Sequence, residues 1–282
     1  MKALLEPIKE IARFDELFRD LKKGTAGVTV ISGCLESQKA HMIAGLSEDV
    51  PVRLLIAENE LKAKELYEDY RLYDAETLYY PAKDLIFYQA DIHGNLLIRQ
   101  RLQVIQALLE RKEVTIITSV GGCMDFLLPL GVFEKHCIHL RNDSEFDLDK
   151  IRKELVRLGY ESTFQVESTG QFSVRGGILD IYPLTEQNPI RIELWGDEID
   201  SIRSFDAESQ RSIENLEEIT IYPASELILT ENTIARGVKA IKKEAKAQST
   251  KFRDKMMTEE AARIRHAAEE ICDQIGEGEI LQ

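Results

Sequence analysis

The chain has little of several things, and each shortage narrows what it can be. Of 282 residues only four are cysteines, Cys34, Cys123, Cys137 and Cys272, and no C-x-x-C pair occurs. That fits reduced thiols in a cytosol rather than a disulfide framework. No apolar run approaches the roughly 18 residues that a membrane span needs, so no membrane partner is expected. The start, Met1 to Lys9, lacks the long apolar core and small-residue cleavage site of a secretion signal. Leu4, Leu5, Ile8, Ile11, Ala12, Leu17 and Leu21 suggest an amphipathic helix there instead. Positive charge is in deficit: 36 Lys and Arg against 50 Asp and Glu give a net charge of -14. This argues against a broad, nonspecific grip on nucleic acid, although a local basic patch stays open. His136-Cys137-Ile138-His139 alternates its side chains if it is a strand and has no second ligand pair, so no metal site is expected.

A hydrophobic fraction of 44% supports real cores, and 282 residues suggest about two domains. The first part alternates strands with helices. Val28-Thr29-Val30-Ile31-Ser32 reads as a buried-type strand, Val52 to Ala57 as a second, Thr77 to Tyr80 as a third and Val114 to Thr118 as a fourth. Helices are expected from Ser37, over Glu60 to Tyr73, over Leu96 to Arg111 and over Cys123 to Leu128. This rhythm predicts a parallel sheet in an α/β domain.

Between the first strand and its helix, Gly33 to Ala40 reads G-C-L-E-S-Q-K-A. A working phosphate loop is G-x-x-x-x-G-K-[ST]. Gly33 and Lys39 are present, but Gln38 replaces the second Gly and Ala40 the hydroxyl residue. Losing the Gly removes backbone freedom to wrap a phosphate chain. Losing the hydroxyl removes a magnesium ligand. Two readings stand: a nucleotide-binding fold that has lost its nucleotide, or a chance G-x5-K after a strand. No bound cofactor is expected.

The pattern changes near Phe133. A helix from Asp147 to Leu158 precedes strands over Gln171–Arg175, Ile178–Tyr182, Ile190–Trp195 and Glu198–Phe205. Gly176-Gly177 and Gly196-Asp197 supply turns, so an antiparallel meander is expected, with a closing strand over Leu216–Ile221. From Thr230 to Ile275 the chain reads as helix, either solvated packed helices or coiled coil, with no strict heptad. The last residues, 276–282, read as a cut within a longer protein. The predicted organisation is three units: 1–132, 133–224, and a helical segment over 225–282.

Ile190, Ile192 and Leu194 alternate with Arg191, Glu193 and Trp195. Period-2 geometry puts the aliphatics on one face and the single Trp among charges on the other. Phe172 and Val174 likewise point away from Arg175. If these strands share one sheet, Arg175, Arg191 and Trp195 lie on one outer surface. Trp and Arg are enriched at interface hot spots, and arginines pair with partner carboxylates. The alternative is that Trp195 is covered by another part of this chain.

Gln171 to Pro183, Q-F-S-V-R-G-G-I-L-D-I-Y-P, resembles the F-x-V-R-G-[DG]-x-[LI]-[DE]-I-[FY]-P segment shared by the excision-repair protein UvrB and the transcription-repair coupling factor family. Glu193 to Arg203 and Phe205-Asp206 continue the shared pattern. Ser209-Gln210-Arg211, with the acidic stretch to Tyr222-Pro223-Ala224, is similar to the coupling factors in particular. Two departures point the same way. UvrB needs an intact phosphate loop, and it carries a DNA-clamping hairpin for which the stretch between Pro81 and Leu96 is too short. No Walker B D-E-x-H or other complete helicase motif occurs.

The resemblance implies a degenerate P-loop, helicase-like parallel-sheet domain (1–132) with an inserted α+β antiparallel-sheet domain (133–224) and the start of a truncated helical domain (225–282). It implies an adaptor without ATPase that mimics UvrB and recruits UvrA to RNA polymerase stalled at DNA damage in the cytoplasm. Family positions that contact UvrA fall on Arg175, Arg191 and Trp195, the last commonly Phe. RNA polymerase and DNA are implied as partners of the full-length protein, an ATP-dependent DNA translocase. An intramolecular contact with the missing C-terminal domain is implied too. The alternative is an ATP-dependent UvrB-type repair enzyme with an atypical loop.

Overall fold

The computed structural model describes residues 2–24, 27–83, 91–228 and 230–277. The first layer is built on three parallel strands, β1 (Val52–Ala57), β2 (Thr77–Tyr80) and β3 (Val114–Ser119), in the order β1-β3-β2. Around them run α1 (Lys2–Leu5), α2 (Phe14–Lys22), α3 (Glu36–Leu46), α4 (Glu60–Tyr70), α5 (Asp91–Leu109), α6 (Val120–Met124) and α7 (Leu130–Glu134). Central β3 is buried at every position, as a parallel strand covered on both faces should be. Ile117 faces Ala40, Ala44, Leu55 and Tyr70 from α3, β1 and α4. Val114 and Ile116 face Val104 and Ala107 of α5.

Three expectations for this layer need correction. Residues 28–32 form no strand. Val28, Val30 and Ile31 are exposed, Val28 at 91%. Strand-like sequence is not sufficient: β1 and β2 each keep an edge that no described strand pairs with, yet residues 28–32 pair with neither. The amphipathic start is also not one helix. Pro7 opens a 3₁₀ turn over Glu6–Glu10, and Arg13 takes φ 70° before α2. Leu5, Ile8 and Phe14 are buried while Ile11 and Leu21 stay exposed. The short helix expected over 123–128 lies earlier, at α6. The stretch too short for a clamping hairpin includes residues 84–90, which lie outside the described residues.

The second layer contains β4 (Ile138–Arg141), α8 (Leu148–Arg157), β5 (Glu161–Ser162), β6 (Gln171–Arg175), β7 (Ile178–Ile181), β8 (Ile190–Trp195), β9 (Glu198–Phe205), β10 (Ser212–Leu216) and β11 (Glu218–Ile221). Six of them form one sheet in the order β10-β9-β8-β7-β6-β5. It is an antiparallel meander from β6 to β10, with β5 added parallel to β6. The turns after β6 and β8 place Gly176 and Gly196 at φ 60° and 64°, where a side chain would be strained. The single closing strand expected over 216–221 is in fact two elements. β10 extends the sheet, and β11 leaves it to pair with β4. Asp147 caps α8 through the Lys150 N–H at 3.0 Å. The inner face of the sheet, Phe172, Leu179, Ile181, Ile190, Ile192, Ile199 and Ile202, packs in one core with Leu155 of α8 and Leu158 just after it. Leu102 and Ile105 of α5 join the same core.

Arg101, 1% exposed, ties the two layers. It bonds both oxygens of Glu226, Asp125 Oδ2 at 3.0 Å and the Pro81 carbonyl at 2.6 Å, and lies 4.0 Å over the Tyr80 ring. Lys83 reaches Glu226 as well, at 2.8 Å. Burial alone would lower the Arg101 pKa, but the Glu226 carboxylate more than offsets this and holds it above its ordinary value. Beyond the sheet, Thr230 caps α9 (Glu231–Asp254), and a turn with Met256 at φ 59° reverses the chain into α10 (Thr258–Glu277). The two pack as a hairpin through small residues, with Ser249 Oγ donating to the Ala261 carbonyl at 3.1 Å.

Candidate functional site

Antiparallel registry sets the site. Cross-strand neighbours Ser173, Asp180, Arg191 and Arg203 form one row over β6, β7, β8 and β9. Arg175, Ile178, Glu193 and Ser201 form the next. Side chains two apart on a strand share a face, so both rows lie on the side opposite the core. Beyond Glu193 a register shift on β9 brings Trp195 opposite Glu198. Trp195 is 82% exposed, so no described part of the chain covers it. Arg175, Arg191 and Trp195 therefore share the outer face, as alternation predicts.

The arginines are not free. The Asp180 carboxylate, 1% exposed, accepts from both. Arg175 Nη2 lies 2.7 Å from Oδ2, and Arg191 Nε and Nη2 lie 2.6 and 2.8 Å from Oδ1 and Oδ2. Arg191 Nη2 also donates to Gln210 Oε1 at 2.9 Å, and its guanidinium sits 4.4 Å over the Phe205 ring. Hydrogen bonding to Asp180 raises the Arg191 pKa above its ordinary value, against the opposing effect of burial. Glu193 accepts from Arg203 and, at 3.1 Å, from Ser201 Oγ. Sequence reasoning found the arginines and missed Asp180 and Gln210. The signal for Asp180 was present: an acid between Leu179 and Ile181, whose alternation puts it on the arginine face. Phe164, 86% exposed, was also missed; its carbonyl accepts from Ser173 Oγ at 2.7 Å, so its loop lies over the end of the first row.

The loop before α3 satisfies some of its own polar groups, while Gly33, Cys34 and Gln38 line an open cavity. Gly33 takes φ 84°. Gln38 Oε1 accepts from the Leu35 N–H at 3.1 Å, occupying a backbone donor at the helix start. Lys39 Nζ is paired with Glu36 at 2.6 Å. Ala40, 2% exposed, is part of the core. The C-terminal ends of parallel strands are the usual ligand position of an open α/β sheet. There Glu60 accepts from Ser119 Oγ, from Tyr79 Oη at 2.5 Å and from the Ala82 N–H at 3.2 Å. Burial, and then the Glu60 bond, push the Tyr79 pKa up.

The His136–His139 stretch makes separate bonds: His136 Nδ1 with the Val132 carbonyl at 2.8 Å, and His139 Nδ1 with Thr220 Oγ1 at 3.0 Å. Among the described residues no group of three or more His, Cys, Asp or Glu is placed to hold a metal ion, and no helix is long and apolar enough to cross a membrane.

The sheet that carries the face falls within a family match: residues 138–227 match the family described as UvrB interaction domain. The chain is 38% identical over 240 residues to the transcription-repair-coupling factor of Staphylococcus aureus (strain USA300), covering 83% of this chain and 20% of the relative. It is 33% identical over 276 residues to the transcription-repair-coupling factor of Bacillus subtilis (strain 168), covering 92% and 23%. The chain thus spans about a fifth of the length of the curated relatives it matches. Over that length its amino-acid sequence is similar to those of the transcription-repair-coupling factors, and its residues 138–227 match the UvrB interaction domain family.

Proposed function

We propose that this chain is an adaptor that mimics UvrB, binding UvrA through the outer face of the β6–β9 sheet and so recruiting it to RNA polymerase stalled at DNA damage. The observation that carries the reading is Trp195: a large aromatic, 82% exposed, on the same outer face as Arg175 and Arg191 within the stretch that matches the UvrB interaction domain. Buried aromatics and arginines dominate interface energetics. In the longer protein, contacts with RNA polymerase and DNA fall to other segments, and an intramolecular contact with a C-terminal domain regulates this face. The protein works in the cytoplasm.

The reading includes no ATPase in this module. The degenerate P-loop of Gly33, Gln38, Lys39 and Ala40 supports that part. Its lysine is paired with Glu36, its helix-start donor is taken by Gln38, and its missing hydroxyl is a core methyl. The proposed organisation remains 1–132, 133–224 and 225–282. Titration of UvrA against the chain tests the function: saturable binding is expected, with Arg175→Ala, Arg191→Ala and Trp195→Ala each weakening it. Absence of binding by the folded chain would count against it.

A further inference from the structure

We infer that Asp180 is a positioning residue of the UvrA-binding face, and that the two arginines it holds are set to grip a single carboxylate of UvrA. This rests on the reading of that face as the UvrA site. The first observation is occupancy. A buried carboxylate with both oxygens committed to arginines on the two flanking strands fixes both guanidiniums relative to the sheet. Arginine side chains carry about 2 kcal/mol of rotamer entropy. Ordering them before contact lowers the cost of binding. Gln210, held by its own Nε2 bond to the Ala207 carbonyl at 2.8 Å, braces Arg191 from the far side. The Phe205 ring beneath keeps the guanidinium from sinking into the sheet.

The second observation is charge. In the two cross-strand rows, Arg175, Arg191 and Arg203 face Asp180 and Glu193. Three guanidiniums against two carboxylates leave one positive charge. The donors left over define where it is used. Among the described residues Arg191 Nη1, Arg175 Nε and Nη1, and Arg203 Nε and Nη1 make no hydrogen bond; Arg203 Nε is buried and Arg203 Nη2 is engaged by Glu193, whereas Arg175 and Arg191 meet at one carboxylate. One incoming carboxylate would balance these two rows, with Glu198 lying further along the face opposite Trp195, and charge-assisted bonds of this kind are the strong ones. A second would meet Asp180 and Glu193 with no cation to offset it. Trp195, four residues along β8 from Arg191, is roughly 13 Å away at the strand rise. The matching UvrA surface is therefore one acidic side chain with an apolar recess about that far from it.

The test is a set of UvrA titrations with the chain carrying Asp180→Asn, Gln210→Ala, Arg175→Ala, Arg191→Ala, and the first two each combined with Arg175→Ala/Arg191→Ala. Asp180→Asn should weaken binding about tenfold or more and Gln210→Ala roughly threefold. Neither should weaken it further once both arginines are gone, because each acts through them. A purely structural role would persist in that background. Arg175→Ala and Arg191→Ala should be strongly non-additive, since both hold one carboxylate; losses that simply add point to two and overturn the single-carboxylate assignment. If Asp180→Asn does not fold, Gln210→Ala decides alone, because it removes no buried charge. If the arginine pair weakens binding but Asp180→Asn and Gln210→Ala do not, the positioning role is overturned and the UvrA reading stands. If removing both arginines leaves UvrA affinity unchanged, the reading of the face falls and this inference with it.

Discussion

The antiparallel and parallel halves of this chain use similar aliphatic sequence and reach opposite ends. In the β6–β9 sheet, Ile190 and Ile192 are sealed between sheet and helix while Arg191 and Glu193 face out. In the three-stranded sheet, only Leu55 of β1 is buried, and Val52, Leu54 and Ile56 are exposed on its other face. Val28 and Val30, with equally strand-like sequence, pair with nothing described. The difference teaches that alternation specifies a face only where hairpin turns deliver the partner strand. β6 to β7 and β8 to β9 are joined by Gly-containing two-residue turns, and β7 to β8 by the eight residues 182–189, so nearby sequence supplies each neighbour. A parallel strand waits for a neighbour from far along the chain, and local sequence cannot say whether one arrives.

Arg101 joins the halves, and the largest effect is expected there. Arg101→Ala leaves Glu226 buried without its main cation and should cost about 3–5 kcal/mol of stability, read by urea denaturation. Retained stability would mean that the halves do not depend on this clamp. Ile192→Ala should cost about 2–5 kcal/mol, because the residue is wholly buried. Leu54→Ala removes the same kind of methyl groups from an exposed face and should stay within about 0.5 kcal/mol. Similar losses for the two would break the comparison. Trp195→Ala should likewise leave the melting temperature nearly unchanged.

The same contrast extends to ligands. Calorimetry with magnesium-ATP and a phosphate-release assay should detect neither binding nor turnover at millimolar nucleotide. Micromolar binding lost on Lys39→Ala would overturn the degenerate-loop reading. Duplex DNA should bind the chain no tighter than the nonspecific range, roughly 10⁻⁴ to 10⁻⁶ M at physiological salt. Nanomolar affinity in an anisotropy titration would contradict it.

Much of the second layer was legible in sequence. The bounds of β6, β8 and β9 follow from alternation, and the outward direction of Arg175, Arg191 and Trp195 follows from the same rule. What stayed hidden depends on registry. That Asp180 stands between the arginines requires knowing which residues of β6, β7 and β8 are opposite, and alternation gives the face but not the neighbour. Gln210 reaches Arg191 only because the chain turns back after β9. Arg101 sits in a helix whose sequence marks it no differently from Arg99 beside it; only the fold brings Glu226 to it from 125 residues away. The failure at Val28–Ser32 has the same cause, a long-range partner that local pattern cannot reveal.

The most direct test of the account is the affinity of UvrA for the wild-type chain and for Arg191→Ala/Trp195→Ala, with both shown to be folded by circular dichroism and melting. Loss of one hot-spot side chain typically costs about 2 kcal/mol, close to thirtyfold. The double variant should therefore bind at least that much more weakly, while losing some stability because the buried Asp180 carboxylate keeps only Arg175. Equal affinity for the two folded proteins would contradict the account. A large drop in melting temperature in Trp195→Ala alone would instead make Trp195 a structural residue.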